Sequence, residues 1–99
     1  MEIKVTQEGT HAEFAIEGSL NTTTSPQIEK FVNELYDKGV KNIDVNMGAC
    51  DFVSSAGLRV IVGMQKRAMA GGSLVFHDVT PDVMDVFQMT GFDKIFTID

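Results

Sequence analysis

Ile3 and Val5 alternate with Lys4 and Thr6, and beyond the polar stretch QEGTH the residues Ala12, Phe14 and Ile16 alternate with Glu13, Ala15 and Glu17. A period of two sends successive side chains to opposite faces of a strand, so the two runs predict an antiparallel hairpin that turns at Gly9. The period then lengthens. Ile28, Phe31, Val32 and Leu35 fall at i, i+3, i+4 and i+7, the spacing of one helical face, with Thr24 or Ser25 as N-cap, Pro26 in the first turn and Gly39 as a stop. Alternation returns at Ile43, Val45 and Met47 around Asp44 and Asn46, which predicts a strand ending near Gly48. A second helical stripe of Leu58, Ile61, Val62 and Met69 follows the serines at 54 and 55 and stops at Gly71-Gly72. The run SLVFH at 73–77 is too short for a helix and predicts a buried strand. Thr80, Pro81 and Asp82 have the chemistry of a helix start. Val83, Val86 and Phe87, with Met89 or Thr90, are predicted to face inward before Gly91 closes that helix, and KIFTI at 94–98 supplies a last strand.

The order is strand, strand, helix, strand, helix, strand, helix, strand. Strands joined through helices run parallel and a tight hairpin runs antiparallel, so the fold class is α/β (α+β): a mixed four- to five-stranded sheet with an N-terminal antiparallel hairpin and helices packed on it. In such open sheets functional contacts gather where the carboxyl end of a strand enters a helix. The strand ending at Met47 and the helix opening at Ser54 or Ser55 make a junction of this kind.

Size and charge narrow the options. A chain of 99 residues has room for one domain with one small core. No apolar run approaches the ~20 residues of a membrane span, and MEIKVTQEG lacks the apolar stretch of a signal peptide, so the expected location is cytoplasmic. A net charge of −6 disfavours nucleic acid and anionic membranes as partners, because both are bound through Lys and Arg. An influence on transcription would therefore pass through another protein. The single cysteine, Cys50, cannot form an internal disulfide; with no basic neighbour it reads as a small packed side chain beside Phe52.

The stretch DFVSSAGLRV, residues 51–60, carries the most suggestive chemistry. One serine at a helix N-cap accepts a hydrogen bond from a free backbone N–H, a contribution of ~1 kcal/mol relative to alanine. The second hydroxyl, beside the positive end of the helix dipole, is placed to carry an anion such as a phosphoryl group. Gly57 would leave the approach to this turn uncrowded. From the residues alone, a plain cap and a modification site both stand. Elsewhere the signals are weaker. His11 and His77 read as a turn residue and a strand-end residue, without partners at catalytic or metal-ligand spacing. Asp78, Asp82 and Asp85 lack the ligand pattern of a calcium loop and read as capping acids and a solvated face. Asn21-Thr22-Thr23 fits a glycosylation pattern but reads as a solvated cap in a chain with no secretory segment. Lys66 and Arg67 read as a solvated helix face, and the six methionines mostly as core filler, with adaptable contact surface as the alternative for Met84 or Met89. With no Rossmann glycines, no P-loop and no local Ser-His-acid set, the chain is not expected to be an enzyme, nor to need a metal or cofactor.

Across nearly its whole length the chain resembles the STAS-domain family, and in particular its stand-alone bacterial anti-sigma factor antagonists. Three pieces in the right order carry the resemblance: EGSLNTTTSPQIE before the first helix, Ser54-Ser55-Ala56-Gly57-Leu58 at the strand-to-helix junction, and AGGSLVFHDVTPDVMDVFQMTGFDKIF towards the end. The resemblance implies a single STAS domain over residues 1–99 and a regulatory phosphoacceptor at Ser55, with Ser54 the lesser alternative. It implies a partner surface near Asn21, Ser54, Ser55, Gly57, Leu58 and Arg59. It further implies partner switching. The unmodified protein binds an anti-sigma factor that is a serine/threonine kinase of the histidine-kinase-like ATPase type, which frees a sigma factor. Phosphorylation ends that binding, and a metal-dependent serine phosphatase reverses it. In this chain Ser54 and Asn21 stand where many members carry aspartate. The alternative role within the family is a non-switching STAS subunit of a lipid-transport ABC system or of a signalling scaffold.

Overall fold

The computed structural model describes residues 3–99. Strands β1 (Val5–Glu8) and β2 (His11–Ala15) form the antiparallel hairpin, turning at Gly9, whose φ of +59° suits a residue without a side chain. The chain continues through β3 (Gly18–Leu20), α1 (Ser25–Asp37), β4 (Asn42–Asn46), β5 (Cys50–Val53), α2 (Ser55–Met69), β6 (Ser73–His77), α3 (Pro81–Thr90), a 3-10 turn (Phe92–Lys94) and β7 (Thr97–Ile98). Five strands make one mixed sheet in the order β1-β2-β4-β6-β7, with every pair after the hairpin parallel. This matches the architecture expected from the alternation of strands and helices.

One face of this sheet holds the core and the other is open. Ala12, Phe14, Ile43, Val45, Leu74 and Phe76 point into a single apolar cluster with Ile28, Val32 and Leu35 of α1, Ile61 and Met64 of α2, and Val83 and Phe87 of α3. Each fully buried side chain of this size contributes roughly 1.5–3 kcal/mol relative to exposure. The residues alternating with them on β2, β4 and β6 are all exposed or half-buried.

Val5, on the outer strand of the sheet, is 42% exposed. Three local expectations need correction. On α2 the buried residues are Gly57, Leu58, Val60, Ile61, Met64 and Ala68, so Leu58 and Ile61 face inward as expected. Val62 is only half-buried, and Met69 in the last turn is 75% exposed. On α3 only Val83 and Phe87 are buried; Met89 and Thr90 are exposed. The final strand is shorter than KIFTI. Phe92–Lys94 form the 3-10 turn, and Phe96 packs against Phe87 at 5.2 Å and Phe76 at 5.5 Å between ring centroids, so that aromatic packing rather than strand pairing places residues 92–96.

A second sheet was not foreseen. β3 and β5 pair in parallel as a two-stranded ribbon, with an irregular register between Gly18 and Ser19. It stands beside the main sheet and leads directly into α2.

Candidate functional site

The ribbon ends where Leu20 pairs with Val53. The backbone N–H of Ser54 then donates to the carbonyl of Leu20 at 2.8 Å, which carries the pairing one residue further before the chain turns into α2. Ser54 has the extended backbone of an N-cap, φ −82° and ψ 175°, and its hydroxyl oxygen accepts from the N–H of Gly57 at 3.2 Å. Ser55 is the first residue of the helix and is exposed, whereas Ser54 is half-buried. The two hydroxyls thus have different surroundings: one closes the helix end, the other faces outward at the positive end of the dipole. No acidic residue occupies the first turn of α2 to neutralise that end.

Gly57 is buried, and its place in the fold corrects the reason first given for it. A Cβ there would lie 2.7 Å from the Leu20 carbonyl oxygen and 2.8 Å from Leu20 Cγ, so the missing side chain lets α2 lie on the ribbon rather than opening the turn to a partner. Leu58 is 8% exposed and anchors the same turn. Arg59 points to solvent.

Asn21 directly follows Leu20, so the second polar locus foreseen in the sequence sits at the neighbouring strand end. Its side-chain carbonyl accepts from the N–H groups of Thr23 at 2.9 Å and Thr24 at 3.1 Å, which folds the loop that leads into α1. Thr24 occupies the N-cap position of α1 without capping it; its hydroxyl donates back to the Ser19 carbonyl at 2.7 Å and accepts from the Asn21 N–H. Thr80 at the start of α3 behaves alike, donating to the Cys50 carbonyl at 2.9 Å instead of capping its helix. Both threonines tie a helix start to the ribbon. Cys50 itself is fully buried and its thiol is pushed up by that burial, in keeping with a packed, unreactive side chain.

The ribbon therefore gathers Asn21, Ser54 and Ser55 at one rim, with Arg59 one helical turn further along. From that rim a shallow groove of about 550 Å³ runs along α2, lined among others by Ser55, Leu58, Arg59, Val62 and Lys66, with Glu29 of α1 across it. α2 carries Arg59, Lys66 and Arg67 and no acid, an island of positive charge on an acidic chain. Arg67 lies over the Tyr36 ring at 4.7 Å. Among the described residues no group of His, Cys, Asp and Glu could hold a metal ion, and no helix is long and apolar enough to cross a membrane.

Sequence reasoning left His11 and His77 without partners, and the structure gives both of them one: Asp44, on the strand between theirs. Only the strand order brings these three residues together, so no local signal announced them.

Comparison with known proteins gives a consistent picture. The STAS domain model matches residues 2–99. BtrV of Bordetella bronchiseptica, provisionally named an anti-sigma factor antagonist, is 33% identical over 84 residues, which span 84% of this chain and 72% of BtrV. A Thermotoga maritima protein with a similar provisional name shares the fold with a TM-score of 0.89 at 21% identity, covering 97% of this chain and 84% of its own. The anti-sigma factor antagonist SpoIIAA, a Bacillus cell fate determinant, superposes in its unphosphorylated form with a TM-score of 0.84 at 19% identity over 99% of this chain and 88% of SpoIIAA. Its phosphorylated form gives 0.77 at 18% identity over 99% and 91%.

Proposed function

The chain belongs to the STAS-domain family, and from that premise we propose that it is an anti-sigma factor antagonist whose binding is turned off by phosphorylation of Ser55. The observation that carries this reading is the division of labour between the serines. The Ser54 hydroxyl is engaged with the Gly57 N–H, while the Ser55 hydroxyl is exposed on the first turn of α2. In the unmodified state the rim formed by Asn21, Ser54, Ser55 and Arg59 meets an anti-sigma factor, which thereby releases its sigma factor. Gly57 and Leu58 serve from below, by holding the turn against Leu20.

The anti-sigma factor is itself a serine kinase with an ATPase fold of the histidine-kinase type. The Ser55 oxygen attacks the γ-phosphorus of ATP, an O–P bond forms, the bond to the bridging oxygen breaks, and ADP departs; the hydroxyl proton passes to a base of the kinase. The antagonist supplies the acceptor and its orientation, and the kinase supplies the chemistry. Phosphorylation places a charge of about −1.5 to −2 within the contact. A loss of ~3 kcal/mol there weakens binding about a hundredfold. A metal-dependent phosphatase hydrolyses the ester and restores the binding form. All these steps draw on ATP and cytoplasmic partners, and residues 1–99 act in them as one unit.

The test uses the kinase recovered on a Ser55→Ala bait. Incubated with it and ATP, the wild-type chain gains the mass of one phosphoryl group, Ser54→Ala still gains it, and Ser55→Ala does not. Modification that maps only to Ser54 or elsewhere, or a phosphorylated chain that binds the kinase as tightly as the unmodified one, refutes the reading.

A further inference from the structure

The open face of the main sheet carries a polar chain that runs across four adjacent strands. Asp44 on β4 receives His11 of β2 on one carboxylate oxygen, with Nε2 at 2.5 Å from Oδ2, and His77 of β6 on the other, with Nε2 at 2.7 Å from Oδ1. His77 Nδ1 lies 3.0 Å from Oδ2 of Asp99, which follows β7. The side chains on this face are exposed or half-buried, in contrast to those of the core face.

Other charged and polar groups share or border this face. Glu8 on β1 is the register partner of His11, and Glu13 on β2 is that of Asp44; both are exposed. Asp78 accepts from the Asn46 side-chain amide at 2.9 Å, while the Ser73 hydroxyl donates to Asn42. Val75 and Thr97, paired on β6 and β7, carry no charge. Of the basic residues, Lys4 before β1 stands at the end of the sheet where β2 and β4 finish, and Lys41 before β4 stands at the opposite end; both are exposed.

The geometry of His77 suits the charged ring. Both ring nitrogens meet carboxylate oxygens, and a neutral imidazole has only one N–H to donate. The two bonds are made together only by the imidazolium. We propose that His77, bridging Asp44 and Asp99, is a proton-operated tie that fastens β7 to the centre of the sheet when the ring is charged and releases Asp99 when it is not. Asp99 is the partner released, because its bond is the longer and its side chain is 74% exposed against 26% for Asp44. Asp44 keeps its two imidazole nitrogens.

The direction of the titrations agrees with this assignment. Asp44, and then Asp99, hold His77 above the ordinary histidine value of 6.5. His11 and His77 hold the Asp44 carboxyl below the ordinary value of 3.8. A group raised on folding stabilises below its unfolded value and loses that contribution as pH climbs through the folded one; a lowered acid stabilises above its unfolded value and loses it as pH falls. The tie is therefore complete from about pH 4 to about pH 6.5 and loosens on the alkaline side as His77 gives up its proton. This inference is independent of whether Ser55 is phosphorylated.

The test follows the His77 ring by NMR from about pH 5 to about pH 9 and, in parallel, the exchange of the Asp99 amide. That amide donates to the Phe76 carbonyl at 2.9 Å and so reports directly on the attachment of β7. We expect His77 to titrate above its ordinary value, and the opening of Asp99, corrected for base-catalysed exchange, to rise about three- to tenfold across that titration. Asp99→Asn, a change at an exposed position, should lower the His77 midpoint and flatten the pH dependence of the Ile98 amide. Asp44→Asn should lower the midpoint further. A wild-type His77 that titrates at or below its ordinary value overturns the proposal, as does a midpoint unmoved by Asp99→Asn. The Asp99 variant decides the matter even where Asp44→Asn fails to fold.

Discussion

The five-stranded sheet and the two-stranded ribbon divide stability from positioning. The large sheet buries Phe14, Val45 and Phe76 under three helices, and its register is set by apolar alternation, since a slip of one residue would turn those side chains to water. The ribbon has few such side chains. It is held by backbone pairing, by the Thr24 and Thr80 hydroxyls, and by a hydrogen bond of 2.7 Å from the Ser19 hydroxyl to Asp51. Yet it is the ribbon that delivers Asn21, Ser54 and Ser55 to one rim. A site can thus rest on a short element that gives only Leu20, Cys50 and Val53 to the core, provided a stronger one is fixed behind it.

Substitutions in the two regions should separate those roles. Phe76→Ala, in the large sheet, removes a fully buried ring packed on Phe87 and Phe96 and should lower unfolding free energy by about 3–5 kcal/mol in urea titration. Gly57→Ala, at the ribbon, forces a Cβ against the Leu20 carbonyl and should cost about 1–3 kcal/mol. Its chemical-shift changes should concentrate at residues 20–21 and 53–58, with slower phosphorylation of Ser55; shifts spread evenly over the main sheet would contradict the division. Ser54→Ala loses the cap and should cost ~1 kcal/mol. Ser55→Ala, at an exposed hydroxyl, should leave stability within about 0.5 kcal/mol of wild type while abolishing phosphorylation. Equal destabilisation by the two serine variants would remove the distinction between them.

The main sheet was legible because its signals are periodic and repeated: Ala12-Phe14-Ile16, Ile43-Val45-Met47 and the stripe of α1 each state one face several times over. The ribbon was not, because GSL and CDFV are too short to show a period and the register of the ribbon is irregular at Gly18. The strand-to-helix junction could be located from Ser54, Ser55 and the glycine beyond them. The purpose of that glycine could not, since the atom it avoids belongs to Leu20, far back in the chain. The threonines carried a true signal for helix starts at 24 and 80, but their hydroxyls found better acceptors across the fold than at their own helix ends. The Asp44 lattice depends on strand order, which local pattern does not encode.

The carbonyl of Leu20 acts as a spacer. It receives the Ser54 N–H and at the same time sets how closely residue 57 can approach, so it fixes the height at which α2 begins. A wider residue at 57 would lift the first turn and carry the Ser55 oxygen outward with it. Phosphoryl transfer is steeply sensitive to such displacement, and a shift of ~1 Å can lower a rate about a hundredfold. The reach of the Ser55 hydroxyl, the proposed acceptor, is therefore gauged by a main-chain atom that no partner needs to touch and no side-chain change at residue 20 removes, so glycine is required at 57.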